Sequence, residues 1–233
     1  MSVDSHDNQA ARARIFAKLK AALKDGPPQD SRRANVEQRL MQPPSHPLPE
    51  RVKKSKDALR QLFRAHLESQ SAVVVEVAAA SEVPAAVAYY LRSNNLPQIV
   101  RAGDDGYLAA LPWSNEPTLQ REHGAAAPGD ETGLSHAIAA IAETGTLAIT
   151  SGADNPVTVN FLPETHIVVV EDKDLVGPYE EAWGKIRARF GKAVMPRTVN
   201  FISGPSRTGD IGGKLVMGAH GPRRMCVILV RGS

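Results

Sequence analysis

From residue 51 onward, apolar runs alternate with segments whose apolar residues recur at helical spacing. Continuous runs such as "AVVVEVA" are typical of strands that are buried on both faces of a sheet. Strands are predicted over 72–78, 97–102, 145–151, 165–172, 197–203 and 225–232. Helices are predicted over 56–69, 81–94, 133–144 and 177–192. This alternation predicts an α/β fold with an open, mostly parallel sheet and helices on both of its faces.

The residues before 51 follow a different pattern. Ile15, Phe16 and Leu19 share one face of a predicted basic helix over 10–24, which we expect to dock on its own protein. Prolines punctuate 26–50 and predict an extended arm. We therefore expect a helix and Pro-rich arm over 1–50 and an α/β domain over 51–233. Within that domain, 103–131 is predicted to be irregular.

Composition narrows the function classes. The 233 residues carry a formal net charge of +3 with no basic block, which argues against a nucleic-acid binder. The one cysteine, Cys226, lies in an apolar run and is predicted to be a small buried residue. An iron–sulfur cluster needs about four thiolates, so none is expected in this chain alone. No apolar run predicts a membrane span and no leader sequence is evident, so we expect a cytoplasmic protein.

The segment "ISGPSRTGDIGG" at 202–213 follows a predicted strand and has the composition of an anion-binding loop. It does not match a P-loop, a dinucleotide-binding loop or a hydrolase elbow, since Thr208 stands where the first and last of these need glycine. Arg207 offers a fork suited to a carboxylate or phosphate. The candidate binding residues are Ser203, Gly204, Ser206, Arg207, Thr208 and Asp210. The alternative is a turn-rich loop in which Asp210 caps a helix.

Two further segments carry candidate chemistry. In "AETGT", Glu143 is predicted to end a helix, where the helix dipole disfavours a carboxylate, so it is a candidate catalytic residue, with Thr144, Gly145 and Thr146 as binding residues. In "GAHGP", His220 is a candidate acid or base beside Gly221. The alternatives are a surface Glu and a turn His without a role. No metal is predicted, because the histidines show no ligand spacing and there is no Cys pair.

The segments "AIAETGTLAITSG", "LPETHIVVVE", "ISGPSRTGDI" and "GAHGP" occur in this order, and together they resemble the lactate utilization protein C family, also called the LUD domain. The resemblance implies a fold similar to CoA transferases and ribose-phosphate isomerases. It also implies a non-redox role, without a cofactor in this chain, in oxidising L-lactate to pyruvate beside two iron–sulfur proteins. The chain departs from the family's usual "SRTADIE" at Gly209 and at Gly212, where a Glu is expected.

Three hypotheses for the function follow. The first, implied by the resemblance, is a subunit of a lactate-oxidising system that acts with iron–sulfur partner proteins. The second is a stand-alone CoA-transferase-like enzyme in which Glu143 is the nucleophile or base. The third is a sensor or scaffold that binds a small carboxylate without turnover. In the last two, Arg207 and the hydroxyl-rich loop would hold the anionic ligand.

Overall fold

The computed structural model describes residues 5–23, 28–44, 46–209 and 212–232, with side chains from residue 8 onward. The chain divides into two compact units, one over 1–46 and one over 47–233. Helices in chain order are α1 (Ser5–Ala22), α2 (Gln29–Met41), α3 (Lys56–Ser69), α4 (Val83–Ser93), α5 (Gly106–Ala110), α6 (Val157–Phe161) and α7 (Tyr179–Phe190). Among the helices in the described residues, none has the length and hydropathy needed to cross a membrane.

The first unit contains α1 and α2. The prediction of an extended arm over 26–50 is wrong for Gln29–Met41, which is helical. The reason is that the prolines lie on either side of "QDSRRANVEQRLM" and none lies within it. Pro28 occupies the N-cap position, so it does not remove a helical hydrogen bond. The large apolar side chains of α1, Ile15, Phe16 and Leu19, are half or more exposed, and the docking of α1 stays a prediction.

The second unit contains all the strands of the described residues. In chain order they are β1 (Val73–Val77), β2 (Ile99–Ala102), β3 (Gln120–His123), β4 (Thr132–His136), β5 (Ala139–Ile141), β6 (Thr146–Thr150), β7 (Thr165–Glu171), β8 (Leu175–Val176), β9 (Val199–Ile202), β10 (Arg207–Thr208), β11 (Val216–Met217) and β12 (Arg224–Val230). Six of them form one sheet in the order β1-β12-β7-β4-β2-β3, and every pair in it is parallel. The predicted mostly parallel α/β fold is therefore confirmed.

Two neighbouring inner strands of this sheet, β12 and β7, are buried on both faces, as their continuous apolar runs predict. Along β12, Val227 packs with Phe63 of α3 on one face, whereas Ile228 packs with Leu91 of α4 on the other. Val168 and Val169 of β7 alternate between the same two clusters. Since successive side chains of a strand point to opposite faces, two consecutive apolar residues contribute to the hydrophobic clusters on both faces of the sheet.

A second sheet of four strands, β8-β5-β6-β9, packs on the α3 side of the large sheet. In it, β5 pairs antiparallel with β6, and β6 antiparallel with β9. The strand that precedes the "ISGPSRTGDIGG" segment is β9. The predicted strand before this segment is therefore present, but it belongs to the smaller sheet and not to the parallel one.

The predicted helix over 133–144 is also wrong, because this segment forms β4 and β5. Leu134, Ile138 and Ile141 recur at spacings of four and three, which imitates a helical stripe. However, Leu134 and Ile141 are both fully buried and belong to two different hydrophobic clusters. A surface helix would expose one side to water, whereas these strands lie between packed layers.

The stretch 103–131, predicted to be irregular, contains α5 and the edge strand β3. The sequence of β3, "QREH", has no apolar residue and so carries no strand pattern. It joins the sheet through backbone pairing with β2, in which Ile99 lies opposite Gln120 and Ala102 opposite His123. An edge strand of this kind is specified by its partner rather than by its own side chains.

Candidate functional site

The loop after β9 and the loop before β12 enclose a cavity of about 100 Å³. It lies at the amino end of the parallel strands, since His166 near the start of β7 and Met225 near the start of β12 line it. Four of the predicted site residues line it, namely Gly204, Ser206, His220 and Gly221. The structure thus brings two of the three predicted segments to one place.

Ser206 connects the two loops. Its backbone N–H donates to the Pro222 carbonyl over 2.8 Å, and its own carbonyl accepts from the Gly218 N–H over 2.9 Å. Its side-chain Oγ accepts a further hydrogen bond of 3.2 Å from the His220 N–H. Beyond it, β10 and β11 pair antiparallel. These hydrogen bonds hold "SGPSRT" and "GAHGP" as one folded unit.

A chain of buried polar side chains reaches the cavity wall from the sheet. Burial lowers the pKa of His166 to about 3, so its imidazole is neutral in the folded protein. His166 Nε2 lies 2.9 Å from Ser135 Oγ, and Ser135 Oγ donates to Asn160 Oδ1 over 2.6 Å. Because the Ser135 hydroxyl proton is used in the hydrogen bond to Asn160, the Nε2–H of His166 is the donor in the hydrogen bond to Ser135.

Asn160 completes this chain and lines the cavity. The residue is 1% exposed, and its Nδ2 has no hydrogen-bond partner among the described residues. A buried amide NH₂ group without an acceptor costs about 1–3 kcal/mol of stability. A hydrogen-bond acceptor in contact with Asn160 Nδ2 would remove this cost.

The close approach of α6 to β4 places Asn160 there. Gly133 of β4 is the reason, since a Cβ at this position would lie 2.1 Å from the Val159 carbonyl oxygen. Any larger residue would push α6, and Asn160 with it, away from Ser135. Ser135 and Asn160 were not among the predicted site residues, because their contact depends on this packing and not on any spacing in the sequence.

Glu143 lies on the turn that joins β5 to β6, not at the end of a helix as predicted. Its backbone N–H donates to the Gly177 carbonyl over 3.1 Å. Its carboxylate forms an ion pair with Arg51, and the Glu143 side chain is only 10% exposed. Glu143 is not among the described residues that line the cavity. It is therefore separate from His220, the other predicted catalytic residue.

Three of the predicted binding residues form a cluster of hydroxyl groups with Tyr179. Thr146 Oγ1 lies 2.6 Å from Thr144 Oγ1 and 2.7 Å from Ser203 Oγ, and the Tyr179 hydroxyl is within 3.1 Å of both threonines. Ile202 and Gly204 line the cavity, whereas Ser203 between them meets Thr146. These hydroxyls satisfy one another and join the β5–β6 turn to the end of β9.

The C-terminal part of α3 packs against both predicted loops. Gly145 has a φ of +64° and Gly204 a φ of +144°, and a Cβ at either would lie within 2.8 Å of the Cβ of His66 or Gln70, respectively. Arg207 also contacts this end of α3, because its guanidinium donates a hydrogen bond to the side-chain carbonyl of Gln70. Thr208 is buried in the hairpin, and Asp210 lies outside the described residues.

With this geometry in place, comparison with known proteins decides the family. The sequence profile of the LUD domain matches residues 59–230. The chain belongs to the LUD domain family. The match begins within α3 and ends at the last residue of β12, so it includes both sheets, the cavity and the hydroxyl cluster.

Curated relatives support the same family. The chain is 35% identical over 119 residues to "Lactate utilization protein C" of Geobacillus thermodenitrificans, covering 51% of this chain and 49% of that protein. It is also 35% identical over 99 residues to the protein of the same name from Bacillus subtilis, covering 42% of this chain and 41% of the relative. The aligned part of the chain thus spans about half the length of these relatives.

A solved structure has a similar fold. A DUF162 family protein from Deinococcus radiodurans superposes with a TM-score of 0.56 at 21% identity, covering 76% of this chain and 99% of that one. This similarity concerns the fold alone.

Proposed function

We propose that this LUD domain protein takes part in L-lactate utilization. In this proposal it acts in the oxidation of L-lactate to pyruvate beside iron–sulfur partner proteins, holds no cluster itself, and binds a small carboxylate in the cavity between the two loops. The names of its curated relatives support the pathway. A single observation supports the binding site, namely the unpartnered amide of Asn160 at a cavity lined by the predicted motif residues.

The size of the cavity suits such a ligand. An apolar cavity of about 150 Å³ holds benzene, which has six non-hydrogen atoms. The cavity here measures about 100 Å³ and opens between two loops, so it suits a ligand of about this size or smaller. Lactate and pyruvate each have six non-hydrogen atoms. A larger group such as a nucleotide or coenzyme A would have to remain mostly outside.

The charges around the cavity suggest how a carboxylate would be held. No lysine or arginine is among the described residues that line it. Arg207 directly follows Ser206 in the chain, and its guanidinium contacts Gln70, which also packs against Gly204. We propose that Arg207 exchanges its hydrogen bond to Gln70 for the ligand carboxylate, while the Asn160 amide donates to a second ligand oxygen.

Ligand-dependent stability tests the binding site. L-lactate or pyruvate should raise the Tm of the wild-type chain, because a ligand at a hundredfold excess over its Kd stabilises a protein by about 2.7 kcal/mol. Arg207→Gln should abolish the shift, and Asn160→Leu should reduce it. Lys192→Gln removes the same charge from an exposed position and should leave the shift intact. If neither acid changes the Tm of the wild-type protein, the carboxylate site is wrong.

The partner proteins need a separate test. A tagged chain purified from its own cells should bring iron–sulfur proteins with it, and deletion of its gene should impair growth on L-lactate but not on pyruvate. Normal growth of the deletion strain on L-lactate would contradict the proposed pathway, whatever the outcome of the binding experiment.

A further inference from the structure

A second group of polar side chains lies at the opposite edge of the large sheet, beyond the carboxyl ends of three adjacent strands. Asp105 follows β2, His136 is the last residue of β4, and Glu171 is the last residue of β7. Asp174 comes three residues after Glu171. The carboxyl edge of a parallel sheet is where ligands of α/β proteins usually bind. At about 3.3 Å per residue, Glu171 lies ~16 Å along β7 from the cavity residue His166.

His136 is oriented for binding through its Nε2 atom. Its Nδ1 lies 3.3 Å from the Asp105 carboxylate, which therefore accepts a hydrogen bond from the Nδ1–H group. Asp105 is itself fixed, since it accepts a hydrogen bond of 2.9 Å from the Leu108 N–H at the start of α5. The ring of Tyr107 stacks on the imidazole with centroids 4.4 Å apart. Nε2 is thus left with its lone pair directed away from Asp105.

Two buried polar atoms of this group lack a partner among the described residues, namely His136 Nε2 and the Tyr107 hydroxyl oxygen. One ligand atom each from His136, Glu171 and Asp174 lies within 4.8 Å of the others.

The two carboxylates remain able to bind a cation. Lys173 contacts Oε2 of Glu171 and Lys185 contacts Oδ1 of Asp174, each over 2.8 Å. Each lysine occupies one position on a carboxylate, and a carboxylate offers about four such positions on two oxygens. The Lys173 side chain is 62% exposed, so water can replace its contact at little cost.

We propose that His136 Nε2, Glu171 and Asp174 bind one divalent transition-metal ion, with Asp105 as the residue that orients the imidazole. A ligand set of one imidazole and two carboxylates suits zinc and similar first-row ions, whereas magnesium and calcium prefer oxygen ligands throughout. A metal-bound histidine usually donates a hydrogen bond from its other ring N–H to a carboxylate, which fixes the orientation of the ring. Three protein ligands would leave a coordination position open to water or to another small molecule.

The sequence alone did not indicate this site and predicted no metal. Glu171 and Asp174 lie three residues apart at the end of β7, whereas His136 comes from β4 and is 35 residues away from Glu171 in the sequence. The mistaken helix over 133–144 also placed His136 away from the end of a strand. Only the parallel order β7-β4-β2 brings these residues together.

Calorimetric titration of the chelator-treated protein with Zn²⁺ tests the site. One ion should bind per chain, and His136→Ala should weaken binding at least about tenfold. Asp105→Asn keeps a side chain able to cap α5 and should weaken binding by about 10–100-fold through loss of ring orientation. His123→Ala removes an exposed histidine outside the group and serves as the matched control, with affinity unchanged.

The wild-type protein offers a measurement that does not depend on the folding of variants. X-ray absorption of the zinc-loaded protein should show an imidazole nitrogen and carboxylate oxygens at about 2.0–2.2 Å. A spectrum without imidazole scattering would overturn the proposal. So would Zn²⁺ binding that is equally strong in a folded His136→Ala variant, or Mg²⁺ binding as tightly as Zn²⁺.

Discussion

The buried His166 makes the stability of the protein depend on pH in a defined way. In the folded chain its pKa is lowered to about 3 by burial, whereas its unperturbed value is 6.5. Below pH 6.5 the unfolded chain therefore binds a proton that the folded chain does not bind. The free energy of unfolding should fall as the pH decreases from 6.5 toward 3, and the contribution of His166 should be nearly constant above pH 7.

The size of this effect follows from the two pKa values. Each pH unit between them costs about 1.4 kcal/mol, so His166 alone should lower the free energy of unfolding by roughly 2–3 kcal/mol between pH 7 and ~4.5. This is a large part of the 5–15 kcal/mol that is typical of a folded domain, roughly a sixth to a half. His166 is fully buried, so solvent does not screen the penalty.

Urea unfolding followed by circular dichroism at both pH values would measure the effect. The matched variant is His166→Gln, whose amide can still donate to Ser135 but does not titrate. Its free energy of unfolding should decrease by roughly 2–3 kcal/mol less than that of the wild type on the same change of pH. Asp105 and the other carboxylates titrate in both proteins, so their effect cancels in the difference. Equal pH dependence of the two proteins would refute a buried, neutral His166.

Two further predictions concern the packing around the β5–β6 turn, both measured by urea unfolding at neutral pH. Gly145→Ala should destabilise the protein by about 1–3 kcal/mol, because φ is +64° and the new Cβ would meet His66. As a control, Gly184→Ala, inside α7 with open space around the Cβ, should stabilise it by up to about 1 kcal/mol. Equal effects of the two substitutions would contradict the close contact at Gly145. Tyr179→Phe should cost about 1 kcal/mol through its lost hydroxyl bonds, with the exposed Tyr89→Phe as a neutral control, and an unchanged stability would show that the hydroxyl cluster contributes nothing.

The sequence by itself determined those elements whose own side chains show which positions are buried and which are exposed. Helix α3 is an example, because Leu59, Phe63 and Leu67 form one buried stripe and Ser55 caps its first turn. The inner strands β7 and β12 are others, since each contains a continuous apolar run, "IVVV" in β7 and "MCVILV" in β12. Arg207 and the loop glycines could be named as candidates from chemistry and conformational freedom alone, and the LUD family from the order of the motifs.

Tertiary structure decided what depends on neighbours. The segment 133–144 satisfies both a helical and an extended pattern, and only packing between two sheets makes it two strands. The polar strand β3 forms because β2 offers backbone partners. Tertiary structure also decided which of the candidate site residues lie together. Ser206 and His220 line the same cavity, whereas Glu143 pairs with Arg51.

The residues that the sequence did not reveal are those whose role arises from strand order. Asn160 meets Ser135 only because Gly133 lets α6 approach β4. His136 meets Glu171 only because β4 and β7 are parallel neighbours whose carboxyl ends lie at one edge. Local patterns in a sequence report the burial of each residue, which is a property of that residue and its near neighbours. They do not report which distant residues share a site, because register and packing between elements fix those contacts.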